Sequence, residues 1–117
     1  MATVLITGGA GFIGSNLARA LLARGDEVRI IDDLSSGRLS NILPIMDQLT
    51  FLQGDIRNAD QLTEIMTGCD YVLHQAALPS VARSVDNPLL SNDVNVNGCL
   101  NVLNTARQVG VKRLVFA

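Results

Sequence analysis

The chain has 117 residues, 48% of them hydrophobic and 17% charged, with a net charge of −2 at neutral pH. That is enough chain for one domain with a real core, and too apolar for a disordered segment. No basic excess exists to attract a nucleic-acid backbone, and no apolar run approaches the ~20 residues that a membrane-spanning helix needs.

Thr3-Val4-Leu5-Ile6-Thr7 is a short, β-branched apolar run that predicts a buried strand. A glycine cluster follows at once. Ile13, Leu17, Ala18, Leu21 and Leu22 then recur at helical spacing, with Arg24 in the last turn and Gly25 as the stop. Glu27 to Asp32 predicts a second strand, and Asp33 to Arg38 a turn-rich loop. A short helical piece is expected before Pro44, then a third strand over Thr50 to Gln53. Ala59 to Met66 predicts a short helix closed by Gly68, and Tyr71 to His74 a fourth strand.

Pro88 suits the first turn of a long helix, with Asn87 or Asp86 as its cap. That helix is expected to run to about Val109 and to stop at Gly110, a length of ~33 Å at 1.5 Å per residue. Leu89, Val96, Leu100, Leu103 and Ala106 supply its apolar spacing. The asparagines around them, Asn92, Asn97, Asn101 and Asn104, read as a solvated face. Gly98 inside the helix suggests close packing on the sheet. Arg113 to Ala117 opens a fifth strand. Strands alternating with helices imply an α/β fold: a doubly wound parallel sheet in three layers, α/β/α, with about five strands in the order 3-2-1-4-5.

Cys69 and Cys99 form no Cys-x-x-Cys pair, and His74 is the sole histidine. A structural zinc site, with its roughly four ligands, is excluded, and no metal is expected. Two unpaired thiols in a reducing cytoplasm are expected, although spacing alone leaves a single disulfide open. The N-terminus lacks the basic start and long apolar stretch of a signal peptide, so the expected location is cytoplasmic.

The turn after the first strand reads Gly8-Gly9-Ala10-Gly11-Phe12-Ile13-Gly14. A glycine triplet alone is a weak signal, but Gly8, Gly11 and Gly14 lie directly between a strand and a helix, the context that a dinucleotide site requires. The first glycine permits the tight turn, the second lets backbone approach a pyrophosphate, and the third lets helix and strand pack closely. Free N–H groups at the helix start then face the anion. A phosphate loop of the Gly-Lys-Ser/Thr type is excluded, because the only lysine is Lys112. A methyltransferase, which also uses a glycine turn and an acidic strand end, is a weaker rival.

Asp32 ends the second strand, 18 residues beyond Gly14. An acid there accepts both hydroxyl hydrogens of an adenosine ribose and repels a 2′-phosphate, which favours NAD over NADP. Arg38 is near enough in sequence to complicate that preference. Asp55, after the third strand, either accepts from an adenine amino group, with Ile56 packed beside it, or caps a turn or helix.

Taken together, Thr7 to Ser15 resembles the fingerprint of extended short-chain dehydrogenases/reductases, which have a Rossmann-like fold. Asp32-Asp33-Leu34-Ser35-Ser36-Gly37 and Gly54-Asp55-Ile56-Arg57 look like that family's next two landmarks. The stretch from His74 to Val85 is the most specific, and looks like the fourth-strand loop of NAD-dependent UDP-sugar 4-epimerases. Asn95-Val96-Asn97-Gly98 and Val111 to Phe116 continue the match. The resemblance implies that Phe12 and Ile13 lie beside the pyrophosphate and that Ser36 and Gly37 flank the ribose. It implies that Asp55 and Ile56 border the adenine, that Gln75, Ala76 and Ala77 run past the cofactor, and that Asn95 supports the site. It also implies that Ser80, Val81 and Arg83 approach a UDP-sugar, although Arg83 reads equally well as a surface charge. Cys99 stands where the family commonly has threonine, a difference read as packing.

In that family a tyrosine takes the 4-hydroxyl proton of the sugar while C4 gives hydride to NAD. A lysine four residues later lowers the tyrosine pKa, and the 4-keto sugar turns over before hydride returns. A tyrosine ordinarily ionises near pH 10, so the base needs this help. Four residues after Tyr71 is Gln75, and no tyrosine is near Lys112. The resemblance places the catalytic residues beyond Ala117. Residues 1–117 are therefore expected to be the NAD-binding portion of a nucleotide-sugar epimerase, without its catalytic residues and its sugar-nucleotide domain, and inactive alone. A dehydratase, a decarboxylase or a stand-alone NAD-binding module remain alternatives. The bare edge strand of such a portion predicts self-association, as a homodimer or otherwise.

Overall fold

A computed structural model of the chain describes residues 1–76, Leu89 and 93–116. Its elements are β1 (Thr3–Thr7), α1 (Phe12–Ala23), β2 (Glu27–Asp32), β3 (Thr50–Gln53), α2 (Ala59–Met66), β4 (Tyr71–His74), α3 (Cys99–Val109) and β5 (Arg113–Phe116). The described strands form one parallel sheet in the order β3-β2-β1-β4-β5, as the sequence predicts.

Alternation along β1 sets the layers. Leu5 points to one face, where it joins Ile31 and Val72 under Leu62, Ile65 and Met66 of α2 and Val102 and Ala106 of α3. Ile6 points to the other, where it joins Val28 and Ile30 beneath Ala18 of α1. Both faces are thus covered, which is the doubly wound arrangement.

Register carries the site. Thr7 pairs with Ile31 and with His74, Asp32 with Gln53, and His74 with Phe116. All five strands therefore end along one edge of the sheet. Loops leaving that edge are brought side by side, where ligands bind in open α/β sheets.

Three local expectations change. The helical piece expected before Pro44 is two 3-10 turns, Leu39–Asn41 and Leu43–Gln48, and Pro44 sits in the first turn of the second. Proline is tolerated there because a first-turn N–H has no acceptor anyway. The helix expected from 88 is not uniform: Asp93–Gly98 forms a wider π-helical turn that runs into α3. Its proposed caps, Asn87, Asp86 and Pro88, lie outside the described residues. Of the expected apolar set, Ala106 faces the core and the other four face out. Val94, Gly98, Val102 and Ala106 are buried, whereas Leu89, Val96, Leu100 and Leu103 are 84%, 48%, 57% and 41% exposed.

Gly98 does pack closely, but on Ile56 of the β3–α2 loop rather than on a strand. A Cβ there would lie 2.6 Å from Ile56 Cδ1. Cys69 and Cys99 are free thiols. Among the described residues no helix is long and apolar enough to cross a membrane.

Candidate functional site

The strand ends open onto a cleft of about 360 Å³. Its lining comes from the β1–α1 turn, the β2 end, the loop after β3, the β4 exit and the π-helical turn. Gly8, Gly11, Phe12, Ile13, Gly14, Asp32, Ser36, Gly37, Asp55, Ile56, Gln75 and Ala76 all border it, so twelve sequence-nominated residues converge. Asn95 is exposed on the π-helical turn, and its neighbour Val94 borders the cleft instead. Ala77, Ser80, Val81 and Arg83 lie outside the described residues.

The glycine turn is built by steric exclusion. Gly8 has φ +71°, and a Cβ there would fall 2.8 Å from the Ala76 nitrogen. Side chains rarely adopt that backbone, and here there is no room for one. A Cβ on Gly14 would sit 2.5 Å from the Gly8 carbonyl oxygen, so α1 can start flush against the turn only with glycine. Gly11 is the N-cap of α1, with no side-chain cap and no acidic residue in the first turn. The first-turn amides thus face the cleft at the positive end of the helix dipole, a fit for an anion.

Asp32 sits beside that turn and is only 8% exposed. One carboxylate oxygen accepts from the Ala10 amide at 2.9 Å and the other from the Leu34 amide at 2.7 Å. Burial pushes its pKa above the ordinary carboxyl value, and the two backbone donors work against that rise. A carboxylate has about four acceptor sites, so capacity remains for ribose hydroxyls.

At the opposite wall, Asp55 lines the cleft and is held in place by Arg57. Both of its oxygens accept from the Arg57 side chain, the shortest contact being 2.6 Å from Nη2, and Oδ1 also takes the Arg57 amide at 2.8 Å. These bonds hold the carboxyl below its ordinary range. The same guanidinium donates to Asp93 on the π-helical turn at 2.9 Å. Helix α2 is capped by Asn58, whose side chain accepts from the Gln61 amide. Asp55 thus closes a turn with Arg57 and does not cap the helix.

The floor is pinned by Thr7. Its hydroxyl accepts the amides of Gln75 and Ala76, each at 3.1 Å. Tyr71 and Lys112 are remote from all this. Tyr71 begins β4 at the other end of the sheet, and Lys112 pairs with Asp70 there at 3.4 Å.

Asp33, Ser35 and Gly54, which carry the two later motifs but no assigned role, also line the cleft, as do Ile31 and Val94. Asn101, read as solvated, donates to the carbonyls of Ile56 and Arg57 at 3.2 and 3.0 Å and so ties α3 to the cleft wall. Its spacing of 3 from Gly98 put both on one helix face, the only hint the sequence held.

A glycine turn opening a helix, an acid ending the next strand and a cleft between them are what dinucleotide-binding proteins share. The family model described as the NAD dependent epimerase/dehydratase family matches residues 4–117. The chain belongs to that family. It is 42% identical over 121 residues to a UDP-glucose 4-epimerase of Klebsiella pneumoniae, covering 97% of this chain and 86% of the relative. Among solved structures, a UDP-glucose-4-epimerase from Stenotrophomonas maltophila with bound NAD and formylated UDP-arabinopyranose superposes with a TM-score of 0.92. It is 37% identical, and the match covers 99% of this chain but 36% of that one. A dTDP-glucose 4,6-dehydratase from Streptomyces venezuelae with NAD bound gives 0.90 at 38% identity, covering 96% of this chain and 38% of its own. Against these solved structures, this epimerase/dehydratase family member spans little more than a third of their length.

Proposed function

We propose that residues 1–117 form the NAD-binding part of an epimerase that inverts C4 of a UDP-hexose. The observation that carries this is the convergence of the uncapped α1 N-terminus and the Asp32 carboxylate on one cleft, joined through Ala10. The helix end takes the pyrophosphate, and Asp32 takes the adenosine ribose with Ser36 and Gly37 beside it. Ile56 supplies an apolar wall for the adenine. Gln75 and Ala76, with Ala77 following in sequence, run along the nicotinamide side. Asn95 supports the site from the π-helical turn, and Ser80, Val81 and Arg83 meet the sugar nucleotide. When bound, NAD supplies the acceptor for a hydride from C4 of the hexose and the source of its return.

The Klebsiella and Stenotrophomonas relatives favour epimerisation. The dehydratase likeness makes 4,6-dehydration the second reading, which would use the same NAD cleft. Tyr71 and Lys112 stand at the opposite end of the sheet from the cleft, which supports the reading that this chain alone performs neither reaction. Calorimetric titration should show NAD binding to the 117-residue chain, weaker NADP binding, and loss of that preference in Asp32→Ala through weakened NAD binding. Absence of NAD binding to the unaltered chain would overturn the assignment. No 4-epimerisation of UDP-glucose is expected from the chain with NAD.

We further propose that the chain self-associates through the exposed stripe of Val96, Leu100 and Leu103, whose spacing of four and three keeps them on one helix side. Sedimentation should show a dimer that Leu100→Asp converts to monomer. A monomer for both proteins would contradict it.

A further inference from the structure

Asn41 belongs to none of the sequence motifs, yet it sits at a junction. It ends the 3-10 turn Leu39–Asn41, and that turn is anchored away from the cleft. Its neighbour Ile42 is fully buried in the core above Ile30. Its carbonyl accepts from Arg19 Nη2 of α1 at 2.7 Å, and its amide donates to the Arg38 carbonyl at 2.9 Å. From this fixed base the side-chain Nδ2 donates to the Ala10 carbonyl at 2.8 Å. A carbonyl oxygen only accepts, so the amide nitrogen must be the atom facing it.

Ala10 is the point where two loops meet. Its amide donates to Asp32 Oδ2, and its carbonyl takes both Asn41 and the Arg38 amide, the latter at 3.0 Å. The segment between Asp32 and Arg38 therefore lies against the glycine turn, and it carries a left-handed Leu34 at φ +64°. A branched side chain rarely takes that conformation unless its surroundings impose it. The spacing between the two loops is thus set by bonds to one alanine.

We infer that Asn41 is a positioning residue that fixes the register between the ribose-binding loop, Asp32 to Gly37, and the phosphate-binding turn, Gly8 to Gly14. It touches neither ribose nor phosphate. Its effect is to make one ligand satisfy both subsites at once, the condition under which two linked contacts reinforce each other. The inference rests on the nucleotide assignment above.

The test compares two probes, adenosine and ADP, by ligand-observed NMR titration of the 117-residue chain. Adenosine uses only the ribose side, whereas ADP uses both. The unaltered chain should bind ADP more tightly than adenosine. In Asn41→Ala, and in the similarly sized neutral Asn41→Leu, the ADP-to-adenosine affinity ratio should fall about fivefold, the factor that one neutral hydrogen bond supports. A variant that is merely less folded loses affinity for both probes by one factor, leaving the ratio unchanged. An unchanged ratio in either folded variant overturns the role of Asn41 while leaving the nucleotide site standing. Failure of the unaltered chain to bind ADP or NAD overturns the nucleotide site and this role with it.

Discussion

The Thr7 hydroxyl oxygen lies 2.6 Å from Nδ1 of His74, across the paired ends of β1 and β4. That oxygen already accepts two backbone amides, which use its two lone pairs, so its single hydrogen goes to Nδ1. His74 is thereby fixed as the tautomer with its proton on Nε2. The ring meets Phe116 of β5 edge to face at 5.7 Å. Removing the hydroxyl would leave the Ala76 amide and Nδ1 without it. Thr7→Val should cost about 2–3 kcal/mol in chemical unfolding. Thr7→Ser, which keeps the oxygen, should recover most of that loss.

The same geometry sets a pH dependence. Burial holds the His74 imidazole below its ordinary value. The unfolded chain therefore binds this proton more readily than the folded one, and stability falls as pH drops below about 6.5. The loss levels off once pH is below the folded-state value. As the sole histidine, its ring signals can be followed singly by NMR, and its midpoint should lie below that of the urea-unfolded chain. The loss between pH 7.5 and 5.5 should shrink in His74→Leu.

Arg57 links the two walls that hold Ile56 and Val94. Its partners Asp55 and Asp93 are both held below the ordinary carboxyl range, Asp55 chiefly by Arg57 and Asp93 first by Asn97 and then by Arg57. A depressed carboxyl contributes stability above its unfolded value near 3.9 and loses it as pH falls through the folded value. Arg57→Leu should raise the Asp55 midpoint in carboxyl-carbon NMR and flatten the acid limb of unfolding below pH 4. At neutral pH its effect on melting should be small and should shrink with salt, because the side chains of the pairs are 30% to 43% exposed.

Gly98→Ala tests the contact between α3 and the cleft wall. Alanine gains about 1 kcal/mol of helix propensity, but its methyl would press on Ile56, which is 4% exposed. Overpacking of about 1–3 kcal/mol should win, giving net destabilisation. Adding Ile56→Ala removes both the Cδ1 and the Cγ1 in conflict, so the double variant should lose less than the sum of the singles. Strict additivity in chemical unfolding would contradict the contact.

What the sequence made legible was local. Thr3 to Thr7 is β-branched and apolar, and Gly8 follows it, so strand, turn and helix could be placed from adjacent residues. Asp32 was legible for the same reason, as an acid ending an apolar run. The links made by Asn41, Arg57 and Asn101 join residues 31 to 45 positions apart, and no short-range pattern announces them. The outward stripe of Leu100 and Leu103 was misread because helical spacing shows that a face exists, not which face meets the sheet. Asp55 had two open readings; it caps the turn that brings Arg57 back onto it, as one of them has it, and it also lines the cleft.

The π-helical turn at Asp93–Gly98 holds one residue more than an α-helical turn needs, so it works as a phase shifter in the chain. Each residue of an α-helix turns the chain by about 100°. Deleting a single residue from this segment would let the helix close up regularly, with no break in its hydrogen bonding. It would also swing the residues of the turn that precede the deletion, Asp93 among them, by roughly that angle. Asp93 would leave Arg57, and one wall of the cleft would open. Length variation at this point is therefore harmless to the helix and costly to the site, and a tally of helix content by circular dichroism would miss the damage.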